Sequence, residues 1–130
     1  MAERFDLAKT FVHLENGGDA RAVKIGPTFW RDSSSGKRLY DRLVGVFAFR
    51  SADDLHPSMQ EMHPEAGEVL FLLSGAIDVV LDESGGRRTI ALHAGEAVIV
   101  PRGIWHHLVM RQAGQLLFIN SRTGIQNRPV

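Results

Sequence analysis

Apolar residues occur along this chain in short runs of Val, Ile, Leu and Phe, which Gly, Pro, Asp and Ser interrupt at close intervals. Runs of this length between turn-forming residues are typical of an all-β sandwich or barrel. No stretch carries a convincing helical period. The pattern predicts strands at Thr10–Leu14, Ala20–Ile25, Leu43–Phe49, Met59–His63, Val69–Leu73, Ala76–Leu81, Arg87–Leu92, Ala97–Val100, Trp105–Val109 and Leu116–Asn120.

Two polar segments interrupt the apolar pattern. Asp82–Gly86 separates two predicted strands and ends in two glycines, which can supply a positive φ. We therefore expect a hairpin loop there, with antiparallel strands on either side. Arg31–Lys37 contains three serines and a glycine and is expected to be a polar loop.

Several predicted strands are apolar on both faces, among them Val69–Leu73, Ala97–Val100 and Leu116–Ile119. A sheet with one face in water would alternate between apolar and polar residues instead. The second face must be covered either by another sheet together with the amino-terminal segment or by another subunit. We expect a homodimer.

The length of 130 residues allows one hydrophobic core but hardly two. We expect a single domain over residues 1–130. In this interpretation, residues 1–42 supply strands and a loop that pack on a barrel formed by residues 43–120. Residues 121–130 are expected to form a tail.

Charge and cysteine content exclude several classes of function. Lysine plus arginine and aspartate plus glutamate number 15 each, so no net charge attracts nucleic acid or an anionic membrane. Cysteine is absent, which excludes thiolate metal sites and agrees with a reducing cytoplasm. No apolar stretch has the length of a signal peptide or a membrane span. We expect a cytoplasmic protein without nucleic-acid or membrane partners.

Four residues are candidates for a metal or catalytic site because of their spacing. Glu61 and His63 are one residue apart in a predicted strand, so their side chains share a face. Glu68 follows across an expected turn, and His106 comes from a third element. Among the other histidines, His56 is assigned to a loop and His107 to the outer face or an interface. Surface or packing roles are assigned to His13 and His93.

These four residues lie in two stretches that resemble the two motifs of the cupin superfamily. The first motif of that family has two histidines one residue apart, followed by a glutamate and a glycine. The second has a glycine, a proline, a glycine and a histidine. The residues that match are His63, Glu68 and Gly75 in the first motif, and Gly95, Pro101, Gly103 and His106 in the second.

The resemblance implies an antiparallel double-stranded β-helix, or jelly-roll barrel, that binds one divalent metal ion through His63, Glu68 and His106. The metal would be Fe, Mn, Ni or Zn. Glu61 stands where the family has its first histidine, and Met110 where an asparagine can close the second motif. Because a carboxylate is also a competent donor, we expect Glu61 to be the fourth ligand. Two carboxylates neutralise a dication, so we expect little attraction for anionic substrates.

The resemblance further implies a metal-dependent enzyme that acts on a small organic molecule, of the oxygenase, isomerase or lyase type. Glu61 is alternatively a catalytic base. The alternative function is a barrel that binds or senses a metal or small ligand without turnover. If His106 faces inwards, alternation turns His107 and Trp105 outwards. Apolar residues that either line a pocket or pack the core are Phe47, Phe49, Met59, Leu70 and Trp105.

Overall fold

A computed structural model describes residues 2–34 and 41–130 of the chain, except for the side chains of residues 32–34. The described residues are mostly β-structure, which confirms the all-β prediction. Within the described ranges, one α-helix, α1 (Phe29–Ser34), and one 3-10 turn, Ala52–Leu55, accompany the strands. The strands are β1 (Thr10–Leu14), β2 (Ala20–Lys24), β3 (Arg42–Phe49), β4 (Met59–Met62), β5 (Glu68–Glu83), β6 (Gly86–His93), β7 (Ala97–Val100), β8 (Trp105–Asn120) and β9 (Gln126–Pro129).

Two long strands, β5 and β8, form the centre of the sheet. They pair antiparallel, from Val69 opposite Ile119 to Asp82 opposite Trp105. Strand β3 pairs with the second half of β8, and β1 and β2 continue the sheet beyond β3. Strands β6 and β7 pair with β5, while β4 lies between β8 and β9. All of these pairings are antiparallel.

Each central strand covers two strands that the sequence predicts separately. The break in the apolar pattern near Ser74 and Gly75 is a series of register shifts between β5 and β8, not a loop. Gly75 has a φ of 85°, and a Cβ there would lie 2.6 Å from two carbonyl oxygens of β8. Opposite it, a Cβ at Gly114 would collide with the carbonyl of Ser74. Glycine at both positions allows the two backbones to pass closely where bulges bend the strands.

The hairpin predicted at Asp82–Gly86 is confirmed, with Glu83 opposite Gly86 at the end of the β5–β6 ladder. Gly86 supplies the positive φ, at 117°. The segment expected to be a carboxy-terminal tail contains β9, which pairs with β4. Nothing in the apolar pattern marks Gln126–Pro129 as a strand, because all four residues are exposed.

The prediction of a polar loop at Arg31–Lys37 is wrong for residues 31–34, which belong to α1. Residues 35–37 lie outside the described residues. A helix of six residues is too short to display a helical period, and it depends on tertiary packing. The rings of Phe29 and Trp30 pack edge-on against Phe11 at 5.4 and 5.6 Å. No helix among the described residues is long and apolar enough to cross a membrane.

One hydrophobic core lies against the inner face of the sheet. Phe11 of β1 enters it and contacts Phe118 of β8 at 5.2 Å between ring centroids. A Cβ at Gly45 would collide with the Phe11 ring, so glycine makes room for that contact. Within the part of the chain that the structure describes, the opposite face is only partly covered, and Leu73 and Ile99 remain 42% and 68% exposed. The β1–β2 hairpin extends the sheet through β3.

Candidate metal centre

The structure brings Glu61, His63, Glu68 and His106 together where β4, β5 and β8 meet. Glu61 in β4 lies directly opposite His106 in β8, and His63 follows the last residue of β4. One ligand atom each from Glu61, His63 and His106 lies within 4.8 Å of the others. Glu68, at the start of β5, has carboxylate oxygens 2.9 Å from Nε2 of His106 and 3.4 Å from Nε2 of His63.

Burial separates Glu61 from the other three residues. His63, Glu68 and His106 are buried, whereas the side chain of Glu61 is 42% exposed. Its carboxylate lies 3.6 Å from Nε2 of His63. Glu61 therefore lies on the side of the cluster that faces solvent.

Both imidazole rings are oriented by backbone carbonyls. Nδ1 of His63 lies 3.0 Å from the carbonyl oxygen of Ser121, and Nδ1 of His106 lies 3.1 Å from that of Ile104. Because a carbonyl oxygen can only accept a hydrogen bond, Nδ1 of each ring is the donor. Nε2 of each ring therefore points at the carboxylates. Hydrogen bonds of this type commonly fix the histidine ligands of metal sites.

Asn120 fixes the remaining oxygen of Glu68. Its side-chain amide donates a hydrogen bond of 2.7 Å to Oε2, and both groups are buried. The expected asparagine position at Met110 is apolar and packs against the core. Asn120 therefore supplies a buried amide to the site from a different position in β8.

Glu68 and His106 form a buried acid–base pair. Burial raises the pKa of the Glu68 carboxyl, but the hydrogen bond from His106 and the nearby His63 ring lower it well below its usual range. Burial also lowers the pKa of His106, and the hydrogen bond to Glu68 outweighs this and raises it. Since Nδ1 of His106 already donates to a carbonyl, the shared proton lies on Nε2. Metal binding at this nitrogen requires the loss of that proton.

Nε2 of His63 is buried and has no hydrogen-bond partner among the described residues. It nevertheless lies close to both carboxylates. Donor atoms that share one divalent ion at about 2.1 Å lie about 3.0–3.4 Å from one another. The contacts of His63 with Glu61 and Glu68, and of His106 with Glu68, measure 2.9 to 3.6 Å. The donor set and its spacing therefore fit a divalent metal ion.

A cavity of about 380 Å³ opens beside the cluster, with Glu61, Glu68 and His106 in its wall. This volume is in the range of small-molecule pockets. Of the apolar residues considered from the sequence, Phe47, Met59 and Leu70 line the cavity. Phe49 is fully buried in the core, and the Trp105 ring is covered by the Arg128 guanidinium at 4.0 Å. Neither of these two lines the cavity.

Of the other four histidines, two border the cavity and two do not. His13 contacts Asp41 in the amino-terminal part of the sheet, and His93 contacts Glu96 at an exposed turn. His56 was assigned to a loop and left out of the candidate site, and the structure places it at the border of the cavity. His107, expected on the opposite side from His106, borders the cavity as well.

Sequence reasoning missed Asn120 and Arg122. Both line the cavity and both are buried, Arg122 to 3% exposure. A signal for Asn120 exists, because Leu116 and Phe118 are inward at alternate positions and Asn120 continues that alternation. Arg122 lies beyond the end of the strand, so alternation does not extend to it.

Comparison with known proteins supports the fold. No functionally curated protein matches this sequence. A protein of unknown function from Streptococcus pyogenes has a similar structure, with a TM-score of 0.51 and 21% identity over 65% of this chain and 70% of that chain. A variant of oxalate decarboxylase from Bacillus subtilis has a TM-score of 0.53 and 18% identity over 68% of this chain. This chain covers 24% of the decarboxylase.

At these identities, the structural likeness shows the fold alone. The sequence itself gives the family. The family model described as the cupin domain matches residues 54–121, which is just over half of the chain and includes all four residues of the cluster. This chain belongs to the cupin family.

Proposed function

We propose that the protein binds one divalent metal ion through Glu61, His63, Glu68 and His106 and holds a small organic molecule in the adjoining cavity. The observation that carries this proposal is the buried Nε2 of His63, which has no hydrogen-bond partner among the described residues. A buried polar atom without a partner is destabilising by about 1–3 kcal/mol. A metal ion between His63 and the carboxylates would remove that penalty.

We propose that this site is catalytic and supports oxygenase, isomerase or lyase chemistry. A bound metal would supply Lewis acidity and an open coordination position for a substrate. Glu61 is the partly exposed acid at the cavity wall, so it is also the residue best placed to take a proton from a bound molecule. The metal is Fe, Mn, Ni or Zn, since the donors are imidazole and carboxylate groups.

The second candidate is a protein that binds or senses a metal or small ligand without turnover. The cavity beside the cluster favours this function equally, because a cavity of this size serves binding as well as catalysis. Oxygen consumption by the iron-loaded protein with small phenols, diketones and thiols separates an oxygenase from a binder. Uptake above that of the metal-free protein supports oxygenase chemistry, and its absence with all three classes argues against it.

Metal analysis of protein purified without chelator tests the metal site. We expect about one equivalent of a divalent transition metal per chain by inductively coupled plasma mass spectrometry. Treatment with a chelator followed by single-metal reloading should restore that content. Less than about one tenth of an equivalent after reloading with each of Fe, Mn, Ni and Zn would exclude the proposed site.

Substitution of Glu61 by glutamine tests the fourth ligand. Glu61→Gln keeps the shape of the side chain but removes the negative charge, so we expect metal affinity to fall about tenfold or more, as measured by calorimetric titration. Glu65→Gln is the matched control, because Glu65 is an exposed glutamate on the same connection between β4 and β5. Equal metal affinity of Glu61→Gln and wild type would remove Glu61 from the ligand set.

We also propose that the sheet closes into a jelly-roll barrel and that residues 1–130 form one domain. The placement of β4 between β8 and β9 supports closure, because β4 is then paired along both edges. The contact between Phe11 and Phe118 supports a single domain, because it joins β1 to the central strand β8 in one core.

We propose that the protein is a homodimer that pairs through the outer face of its sheet. One row of β-branched residues crosses five neighbouring strands on that face, and Ile99 at its end is 68% exposed. An apolar face of this kind can match a second copy of itself in a two-fold contact. The row consists of Val12, Val44, Ile119, Val69 and Ile99.

A charge in this row should separate the subunits. For Ile99→Glu we expect the molar mass from light scattering after size exclusion to fall from that of two chains to that of one, because the charge cannot be desolvated at an apolar contact. Thr89→Glu adds the same charge at an exposed position of β6 and should leave the mass unchanged. The proposal would be overturned if the wild-type protein elutes as a monomer at a concentration of about 100 µM.

A further inference from the structure

Arg122 is a buried cation in the wall of the cavity. The residue follows the end of β8 and is 3% exposed. Its guanidinium lies 5.1 Å from the centroid of the Trp30 ring. Burial lowers the pKa of Arg122, and Glu61 and Glu68 act in the opposite direction by stabilising its charge. The guanidinium is therefore held charged between an aromatic face and the carboxylates of the metal centre.

Arg122 changes the charge of the site. Two carboxylates neutralise a divalent metal ion, which is the reason to expect little attraction for an anion. The guanidinium adds one positive charge to the same cavity. With the metal bound and both imidazoles neutral, Arg122 leaves one unit of positive charge beside the metal centre. The other charged residue of the wall, Asp54, is exposed, and its carboxylate accepts hydrogen bonds from the backbone N–H groups of Arg50 and Ser51. The positive charge beside the metal centre suits a ligand with a single negative charge.

The remaining wall of the cavity is mostly apolar. Phe47, Leu108 and Leu116 line it together with Met59 from β4. A ligand that fills this space therefore has an apolar body and only one charged end. The guanidinium has five N–H donors in a planar fork, so it can bind a carboxylate while it keeps other contacts.

We propose that the cavity binds a small monocarboxylate with an apolar body, whose carboxylate is held by Arg122 beside the metal centre. This inference rests on the proposed function, because the metal contributes to the charge of the site. Arg122 is then a specificity-determining residue. A purely structural Arg122 would neutralise the two glutamates without any preference among ligands.

The test compares a carboxylate with its neutral amide. Calorimetric titrations of 4-methylpentanoate and 4-methylpentanamide into the manganese-loaded protein measure both affinities, with bound manganese quantified in each sample. We expect the carboxylate to bind wild type about tenfold or more tightly than the amide, as for a charge-assisted pair of hydrogen bonds. Propanoate and 3-phenylpropanoate, each with its amide, extend the series in size.

Arg122→Gln should lose this preference while its affinity for the amide stays within about twofold of wild type. Arg122→Lys keeps the charge without the planar fork and should retain part of the preference. Arg102→Gln removes an exposed arginine from the turn before β8 and should behave as wild type. Melting followed by circular dichroism identifies variants that are folded, and Arg122→Lys carries the comparison if Arg122→Gln is not.

Equal affinity of wild type for acid and amide, no detectable binding of any carboxylate in the series, or an unchanged preference in both Arg122 variants would each overturn the inference. Failure of the proposed function is a separate result, because it appears as absent manganese in the loaded samples. In that case, the two carboxylates outweigh the charge of Arg122, and the inference is overturned together with the proposed function.

Discussion

Replacement of His106 by alanine is expected to lower the affinity of the protein for a divalent metal ion by about a hundredfold or more. Loss of a residue that only orients a ligand already reduces affinity about 10–100-fold, and His106→Ala removes a donor atom itself. His63→Ala should have a similar effect, because its buried Nε2 faces the same carboxylates. Calorimetric titration with zinc or manganese measures both variants.

His93→Ala is the matched control for these substitutions. It also removes one imidazole, but from an exposed turn where the ring contacts Glu96. We expect wild-type affinity for this variant. If His106→Ala binds metal as tightly as His93→Ala does, His106 is not a ligand. Because His106→Ala leaves the buried Glu68 with fewer partners, the variant His106→Gln, which retains a hydrogen-bonding side chain, provides a second measurement should alanine prevent folding.

Substitution of Gly75 by alanine is expected to lower the free energy of unfolding by about 3 kcal/mol. Two effects add here. A residue with a Cβ is strained at a φ of 85°, which amounts to about 1–3 kcal/mol. The new Cβ would also lie 2.6 Å from the carbonyl oxygens of Gln112 and Ala113, and crowding of this kind destabilises by about 1–3 kcal/mol. Urea denaturation measures the sum.

Gly95→Ala separates the two effects. Gly95 has nearly the same φ, 87°, but no atom lies within 4 Å of the position of its missing Cβ. We expect the free energy of unfolding of this variant to fall only because of backbone strain, by about 1 kcal/mol. If both variants unfold at the same urea concentration, the close approach of β5 and β8 contributes nothing measurable. The comparison should be made on metal-free protein, because bound metal adds to the stability of the folded state.

The strand pattern was largely readable from the sequence because most strands bury alternate residues in one core. Two predicted strands, Thr10–Leu14 and Ala97–Val100, have the same first and last residues as the observed strands β1 and β7. The pattern failed where packing or pairing alone decides the structure. Strand β9 is exposed throughout and exists because it pairs with β4, and α1 is a single turn and a half held by aromatic contacts.

The candidate site also contains residues that the sequence predicts and residues that it does not. Motif spacing brought together Glu61, His63, Glu68 and His106, because each lies in a strand or beside one and the turns fix their approach. Arg122 carries no such signal, since it lies beyond the end of β8, in the irregular segment that precedes the turn at residues 123–124. A residue of this kind becomes visible only when the path of the chain after β8 is known.

Each of the two tryptophans of the chain packs against an arginine, but only Trp30 lines the cavity. Trp30 borders the cavity beside Arg122, whereas Trp105 is covered by Arg128, which also pairs with Asp82. In a Trp105→Phe variant, all indole fluorescence therefore comes from the wall of the cavity. Emission from that single ring gives a label-free optical signal for whatever enters the cavity, and it needs no knowledge of the natural ligand.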